Sequence, residues 1–116
     1  MLKVKRIYEA PSPDDGYRIL VDRLWPRGFT KERAHVDEWQ KDLAPSNALR
    51  KWYGHDPDKW DEFRRRYEEE LRKSGKWEDL RSIVERAKEE DVTLVYSSKD
   101  ALRNQAIALK EMPLGR

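Results

Sequence analysis

Two clusters of polar side chains contain the residues whose types and spacing could do chemistry. The first is Asp22-Arg23-Leu24-Trp25-Pro26-Arg27, which directly follows a short apolar run at 17–21. The second is Ser97-Ser98-Lys99-Asp100, which follows the β-branched run at 92–96. The carboxyl ends of parallel strands lie at one edge of a sheet, where α/β proteins usually bind ligands. If the two runs are strands that point the same way, the sequence predicts one ligand site built from both clusters.

The residue types in these clusters favour an anionic ligand. Lysine and arginine supply positive charge, and the arginines add bidentate donors that match a phosphate or a carboxylate. The second cluster is predicted to open a helix, whose first N–H groups also favour an anion, and Asn104 would then face the same space. The predicted ligand is therefore a small molecule with a phosphate or a carboxylate. The candidate ligand-binding residues are Arg23, Trp25, Arg27, Ser97, Ser98, Lys99 and Asn104.

Each candidate also has a structural interpretation. Either serine of the second cluster suits a helix N-cap, and Ser97 with Asp100 resembles a capping box. Asp22 fits an ion pair with an arginine of its own loop as well as it fits ligand contact. Trp25 precedes a proline, so it suits a packed anchor as well as a stacking surface. These alternatives stay open at the level of sequence.

Asp22 and His55 are the candidates for acid–base catalysis. His55 lies in a loop between Gly54 and the Asp56-Pro57 pair, and an unperturbed histidine titrates near ~6.5. A structural role for His55 fits its position equally well. The two histidines lack ligand spacing and the chain has no cysteine, so the sequence predicts no metal and no cofactor. Whether the chain is an enzyme is left open.

The elements that must position these residues are read from apolar spacing and from caps. Asp56 should cap a helix that begins at Pro57. The connection between the first two strands is short for a parallel crossover, so an antiparallel pair and a direct return both remain open.

The fold class is α/β, a single small domain over residues 1–116. Its three-stranded sheet, mostly parallel or mixed, packs with about four to five helices. The predicted strands lie within 2–8, 17–21 and 92–96, and the predicted helices at 47–53, 57–74, 77–90 and 101–112.

Composition narrows the function classes. The 116 residues are 37% hydrophobic and 41% charged, with a formal charge of +2. This near-neutral balance argues against nucleic acid and against an anionic membrane as partners.

No apolar run reaches the ~20 residues of a membrane span, and the N-terminus lacks a signal peptide, so a cytoplasmic location is expected. Only two Asn and two Gln hint at a thermophilic source. Oligomeric state is left open.

One basic run does not indicate nucleic-acid binding. Arg64-Arg65-Arg66 is followed four residues later by Glu68-Glu69-Glu70. On a helix, residues four apart are neighbours, so these charges should largely cancel along a solvated face.

Four motifs stand out along the chain: 20–28 (LVDRLWPRG), 39–46 (WQKDLAPS), 49–57 (LRKWYGHDP) and 93–100 (TLVYSSKD). Together they resemble the YeaO-like family, a branch of a bacterial and archaeal domain family of unknown function. The resemblance covers nearly the whole chain and implies a single α/β domain, but it implies no established activity. The wider family often has a Cys-His-Arg triplet just after the last strand, where this chain has Arg103-Asn104-Gln105. Thiol chemistry therefore does not carry over.

Three functions are compatible with the sequence. The first is binding of a small anion, such as a nucleotide or a phosphorylated metabolite, at the strand ends. The second is a nucleic-acid module that uses Arg and Trp contacts. The third is a protein-interaction domain that docks a partner through exposed tryptophans.

Overall fold

A sheet of four parallel strands forms the centre of the structure, a computed structural model that describes residues 1–114. The strands are β1 (Leu2–Arg6), β2 (Tyr17–Leu20), β3 (Glu38–Trp39) and β4 (Val92–Tyr96), in the spatial order β1-β4-β2-β3. The prediction of three strands is wrong. The missed strand, β3, is a two-residue edge strand paired with the end of β2. Its partly solvated side chains give no apolar pattern to recognise.

The connection from β1 to β2 is a direct return between parallel strands. The two strands are not neighbours, because β4 lies between them and pairs with both. The chain turns back through a 3₁₀ turn at Pro13–Asp15 and passes Gly16, whose φ is +63°. A Cβ at Gly16 would lie 2.0 Å from the carbonyl oxygen of Asp91, so only glycine lets the loop approach β4 this closely.

A buried charge cluster fixes this return loop. The Asp15 carboxylate accepts hydrogen bonds from Arg18 at 2.6 Å and from Lys5 at 3.0 Å. It also accepts one from the backbone N–H of Ser12. Burial alone would raise the pKa of Asp15, but the hydrogen bonds from Lys5, Ser12 and Arg18 outweigh it and lower that pKa. The loop is thereby tied to both strands that it joins.

Five α-helices complete the described chain: α1 (Lys31–Ala34), α2 (Asn47–Tyr53), α3 (Trp60–Ser74), α4 (Trp77–Ala87) and α5 (Gln105–Glu111). Thr30 caps α1, Ser46 caps α2, and Gly54 ends α2 in the left-handed region. The predicted cap at Asp56 is confirmed, since its side chain accepts from Asp58 N–H at a 3₁₀ turn that leads into α3. None of these helices in residues 1–114 is long and apolar enough to cross a membrane.

The two faces of the sheet are covered differently. Ile19 and Leu94 pack into the main core with side chains from α2 to α5. Leu20 and Val95 point to the other face, where the segment 25–36, which includes Ala34, covers them. This alternation along β2 and β4 confirms that the apolar run at 17–21 is buried on both faces. Helical spacing predicts one apolar face on each of the two longest helices, and both faces are buried, with Trp60 of α3 only partly so. The buried residues are Phe63, Tyr67 and Leu71 on α3 and Trp77, Leu80, Ile83, Val84 and Ala87 on α4.

The last helix begins four residues later than predicted. Asp100 accepts hydrogen bonds from the N–H groups of Leu102 and Arg103, a local turn that competes with the helix. Asn104 is the N-cap, with its side chain accepting from Ile107 N–H at 2.9 Å. Helical spacing over the predicted helix 101–112 places Leu102 on the inner face, but in this turn Leu102 is 74% exposed. The sequence 112–116 (MPLGR) also predicts a C-terminal tail, of which Gly115 and Arg116 lie outside the described residues.

The arginine run of α3 is compensated, mostly by different partners from those predicted. Arg65 pairs with Glu69, as expected, and also with Glu62. Arg66 also pairs with Glu62, because Glu70 instead accepts hydrogen bonds from Ser46. Arg64 pairs with Asp61 and Glu111 rather than Glu68. The run is thus a solvated, ion-paired face.

Candidate functional site

A pocket of about 450 Å³ opens at the carboxyl ends of β1, β2 and β4. Because all strands are parallel, the two polar clusters that follow β2 and β4 meet there, as predicted. Residues from α2, α3 and the start of α5 close its sides. Its lining comprises Arg6, Tyr8, the six consecutive residues 22–27, Ala44, Pro45, Arg50, Tyr53, His55, Phe63, the three residues 97–99 and the three residues 103–105.

Asp22 ties the two strand ends together. It is 6% exposed, and its carboxylate accepts the backbone N–H of Ser97 at 3.1 Å and a hydrogen bond from the Gln105 amide. Burial raises the pKa of Asp22, while the bonds from Ser97 and Gln105 and the charge of Arg50 oppose that shift only in part. The carboxyl group therefore holds its proton more tightly than a solvated aspartate does.

The predicted alternative of an ion pair within the loop is wrong. Within residues 1–114, no ion pair joins Asp22 to Arg23 or to Arg27. Arg23 instead donates to the backbone carbonyl oxygens of Ala44 and Pro45, at 3.0 Å and 3.2 Å for its Nη2. This contact anchors the loop after β2 to the segment that precedes α2.

Cationic side chains dominate the charge of the pocket. They come from five separate parts of the chain, and none of them has a carboxylate partner within 4.0 Å among residues 1–114. Asp22 is the one acidic residue in the lining, and it is buried. A pocket with this balance of charge has a positive potential that attracts an anion. The lining cations are Arg6, Arg23, Arg27, Arg50, Lys99 and Arg103.

The arginines elsewhere in the described chain behave differently. Outside the pocket, every described arginine except Arg33 forms an ion pair with an aspartate or a glutamate. The paired arginines are Arg18, Arg64, Arg65, Arg66, Arg72, Arg81 and Arg86. The lack of carboxylate partners therefore distinguishes the cations that line the pocket from most other described arginines of this chain.

An apolar wall faces the same space. Trp25 is half-buried and is held by a 2.6 Å hydrogen bond from its indole N–H to the Phe29 carbonyl oxygen. Its ring also meets Trp39 edge-on, with centroids 5.4 Å apart. Trp25 is thus a packed anchor, as one of the two interpretations predicts, and its side chain also lines the pocket.

The candidates of the second cluster lie in the pocket, but not at a helix start. Ser97 and Ser98 precede a non-helical turn, and neither caps α5. Ser98 accepts Asp100 N–H at 3.2 Å, and Lys99 is exposed. Asn104 lines the pocket as the actual N-cap, with both ends of its amide engaged by backbone groups. The predicted contribution of a helix N-terminus at 97–100 is therefore wrong.

Sequence reasoning missed several lining residues. Arg50 and Tyr53 lie three residues apart on α2, a spacing that places them on one helix face and that a closer reading could have used. Arg6 reaches the pocket through its hydrogen bond to the Ser97 carbonyl oxygen, across 91 residues of sequence. Arg103 and Gln105 line the pocket because α5 begins at Gln105, four residues later than predicted. The second acid–base candidate, His55, lines the pocket from an exposed left-handed position with φ 58°.

The Tyr53 hydroxyl is a polar group without a partner. Tyr53 is 5% exposed, and its Oη is buried with no hydrogen bond among residues 1–114. Its ring packs against Phe63 with centroids 4.5 Å apart. Buried hydroxyls are usually satisfied, so this one carries a local desolvation cost.

Comparison with known proteins gives family relationships. The model of the inactive DUF488-N3 subclade matches residues 1–115. An uncharacterized protein of Mycobacterium tuberculosis is 44% identical over 115 residues, which cover 99% of this chain and 95% of the relative. The uncharacterized protein YeaO of Escherichia coli is 38% identical over 110 residues, which cover 95% of this chain and 94% of the relative. These matches confirm the resemblance to YeaO. No solved structure matches the chain.

Proposed function

The chain belongs to the inactive DUF488-N3 subclade, and from that premise we propose that it binds a small anionic molecule in the pocket at the strand ends. The ligand carries a phosphate or a carboxylate. The observation that supports this proposal most directly is the set of six lining cations with no carboxylate partner among residues 1–114.

The charge pattern is easier to explain with a ligand than without one. Like charges in one cavity repel, and this repulsion costs stability in the unliganded protein. Elsewhere the fold pairs its arginines, for example Arg81 with Glu78 at 3.4 Å. A bound anion would supply the missing negative charge and accept several charge-assisted hydrogen bonds at once.

The site favours binding over catalysis. The subclade is described as inactive, and the triplet position after β4 holds Arg103-Asn104-Gln105 in place of the cysteine-containing triplet of the wider family. Asp22 already accepts two hydrogen bonds that hold the loops together. The pocket therefore keeps groups that bind an anion and lacks a thiol nucleophile.

A calorimetric titration with inorganic phosphate and with acetate tests the proposal. We expect Arg27→Ala to weaken binding of the better anion by about 1.5–3 kcal/mol, the range for a charge-assisted hydrogen bond. Arg27→Lys should recover only part of the loss, because one ammonium cannot reproduce the planar fork. Arg81→Ala, on α4 outside the pocket, is the matched control and should bind as the unmodified chain does.

Salt dependence separates this function from the nucleic-acid alternative. A single small anion should show a shallow decrease in affinity between about 50 and 200 mM salt, whereas several phosphate contacts to a single strand give a steep one. If neither anion binds at millimolar concentration, or if Arg81→Ala weakens binding as much as Arg27→Ala, the proposed function is wrong.

A further inference from the structure

We infer that the ligand combines a phosphate with a planar ring, and that a nucleoside monophosphate is its chemical class. This inference rests on the proposed anion binding and specifies the ligand further. It comes from the pocket's second component, an apolar and aromatic wall that a bare anion would leave uncovered. The residues of that wall are Tyr8, Leu24, Trp25, Pro26, Pro45, Tyr53 and Phe63.

The size of the pocket is the first reason. A cavity of about 450 Å³ lies within the range of sites that enclose whole small organic molecules. A phosphate or carboxylate group alone would fill only the part beside the cations. The lining also includes the Trp25 and Phe63 rings and two prolines, which offer apolar surface that can pack against a flat body.

The loop after β2 provides the second reason, because it places both kinds of contact side by side. All six residues 22–27 line the pocket. Arg23 and Arg27 flank Leu24 and Trp25 in this run, so cations and apolar side chains come from the same rigid segment. The indole N–H of Trp25 is already bonded to Phe29. What Trp25 can still offer a ligand is apolar ring surface.

Two exposed apolar side chains at the pocket give the third reason. Tyr8 is 49% exposed and Leu24 is 69% exposed, and both line this cavity. The Tyr8 ring is held in place by an edge-on contact with Phe29 at 5.1 Å and by the Arg6 guanidinium, 4.5 Å from its centroid. A fixed, half-exposed aromatic ring with a cation over one face can stack a base on its exposed surface, with positive charge close by for the phosphate.

The test compares probes that separate the ring from the anion. Calorimetric titrations use the four ribonucleoside 5′-monophosphates, ribose 5-phosphate, adenosine and inorganic phosphate. We expect the best mononucleotide to bind at least about five-fold more tightly than ribose 5-phosphate, since stacking one base is worth roughly five-fold to 150-fold. Adenosine should bind at least ten-fold more weakly than the best mononucleotide, because it lacks the phosphate.

Variants then assign the ring contact. Tyr8→Ala and Leu24→Ala should each weaken mononucleotide binding while leaving ribose 5-phosphate unchanged, with Tyr8→Ala losing at least about five-fold. Leu102→Ala is the matched control, because Leu102 is 74% exposed and lies outside the pocket. Two alanine variants at exposed positions keep the test independent of a folding defect in either one.

The possible failures are distinguishable. If ribose 5-phosphate binds as tightly as every mononucleotide, or if Tyr8→Ala and Leu24→Ala leave mononucleotide affinity unchanged, the ring inference is wrong and anion binding survives. If adenosine binds as tightly as its monophosphate, or if no phosphate-bearing probe binds at millimolar concentration, both this inference and the proposed function are wrong.

Discussion

The Asp22 carboxylate accepts the backbone N–H of Ser97 at 3.1 Å, although the two residues are 75 positions apart in the sequence. This bond joins the loop that follows β2 to the loop that follows β4. Both loops line the pocket, so one buried side chain sets the spacing between the two halves of the site. The Gln105 amide, from the start of α5, donates to the other carboxylate oxygen and brings a third segment to the same point.

Asp22 should make a pH-dependent contribution to stability with a defined sign. Because the pKa of Asp22 is raised in the folded protein, the folded state binds this proton more tightly than the unfolded state does. The resulting stabilisation is fully present below the unfolded pKa and is lost as pH rises through the folded pKa. The free energy of unfolding of the unmodified chain minus that of Asp22→Asn should therefore decrease from about pH 3 to pH 7.

Denaturant unfolding at several pH values gives that difference. In the Asp22→Asn variant, rotation of the Gln105 amide can restore a hydrogen bond to the new amide, so the fold should persist. A difference that grows with pH would show that hydrogen bonds to the carboxylate outweigh its burial, contrary to the structure.

Arg27 should contribute little to the stability of the unliganded protein. It is exposed and has no ion pair or hydrogen bond among residues 1–114. Its loss would relieve repulsion from the other lining cations. We expect Arg27→Ala to keep or slightly raise the melting temperature in a buffer without phosphate or carboxylates. A melting temperature several degrees lower would mean that Arg27 supports the loop and is not reserved for a ligand.

Two tyrosines with different hydroxyl environments should respond in opposite ways to substitution by phenylalanine. The Tyr53 hydroxyl is buried without a partner, so Tyr53→Phe should keep or raise the free energy of unfolding, by up to about 1–3 kcal/mol. The Tyr67 hydroxyl is buried and donates to the Leu43 carbonyl oxygen. Tyr67→Phe should therefore destabilise by about 1 kcal/mol or more. Equal losses in chemical unfolding of the two variants would contradict this assignment.

The buried cluster around Asp15 should be a large contributor to stability. Asp15→Ala leaves the Arg18 guanidinium, whose side chain is 4% exposed, without its carboxylate. Breaking such a buried pair costs about 3–5 kcal/mol at neutral pH. Asp14→Ala, in the same turn but exposed, is the matched control and should change stability by no more than about 0.5 kcal/mol.

The sign of the pH effect for Asp15 is opposite to that for Asp22. Its pKa is lowered in the folded protein, so its stabilisation is present above the unfolded pKa and is lost as pH falls through the folded value. The cost of Asp15→Ala should therefore shrink below about pH 4. A cost that is independent of pH would point to packing rather than charge.

The main core can be checked with two leucines that differ in burial. Leu80 on α4 is 0% exposed and Leu102 is 74% exposed. Leu80→Ala should cost about 2–5 kcal/mol, because it removes transfer energy and leaves a cavity. Leu102→Ala should stay within about 0.5 kcal/mol of the unmodified chain in urea unfolding. A cost below about 1 kcal/mol at Leu80 would show that the face of α4 has been assigned incorrectly.

Much of the local structure could be predicted from the sequence because it depends on neighbours along the chain. The apolar faces of α3 and α4 follow from helical spacing, and the caps at Ser46 and Asp56 follow from side chains that bond the next backbone N–H groups. The two polar clusters could be placed after strands for the same reason. Family motifs around residues 22–27 and 97–100 pointed to the same location.

The tertiary structure alone decided which segments meet. Strand order and direction depend on pairing between distant residues, so the sequence could not show that β4 inserts between β1 and β2 or that Glu38 and Trp39 add a fourth strand. It could not bring Arg6 to Ser97. The start of α5 also depended on a competition between the Asp100 turn and the helix, which the cap at Asn104 settles. Apolar spacing indicates which side of a helix or strand is buried. Which other element packs against that side depends on packing over the whole chain.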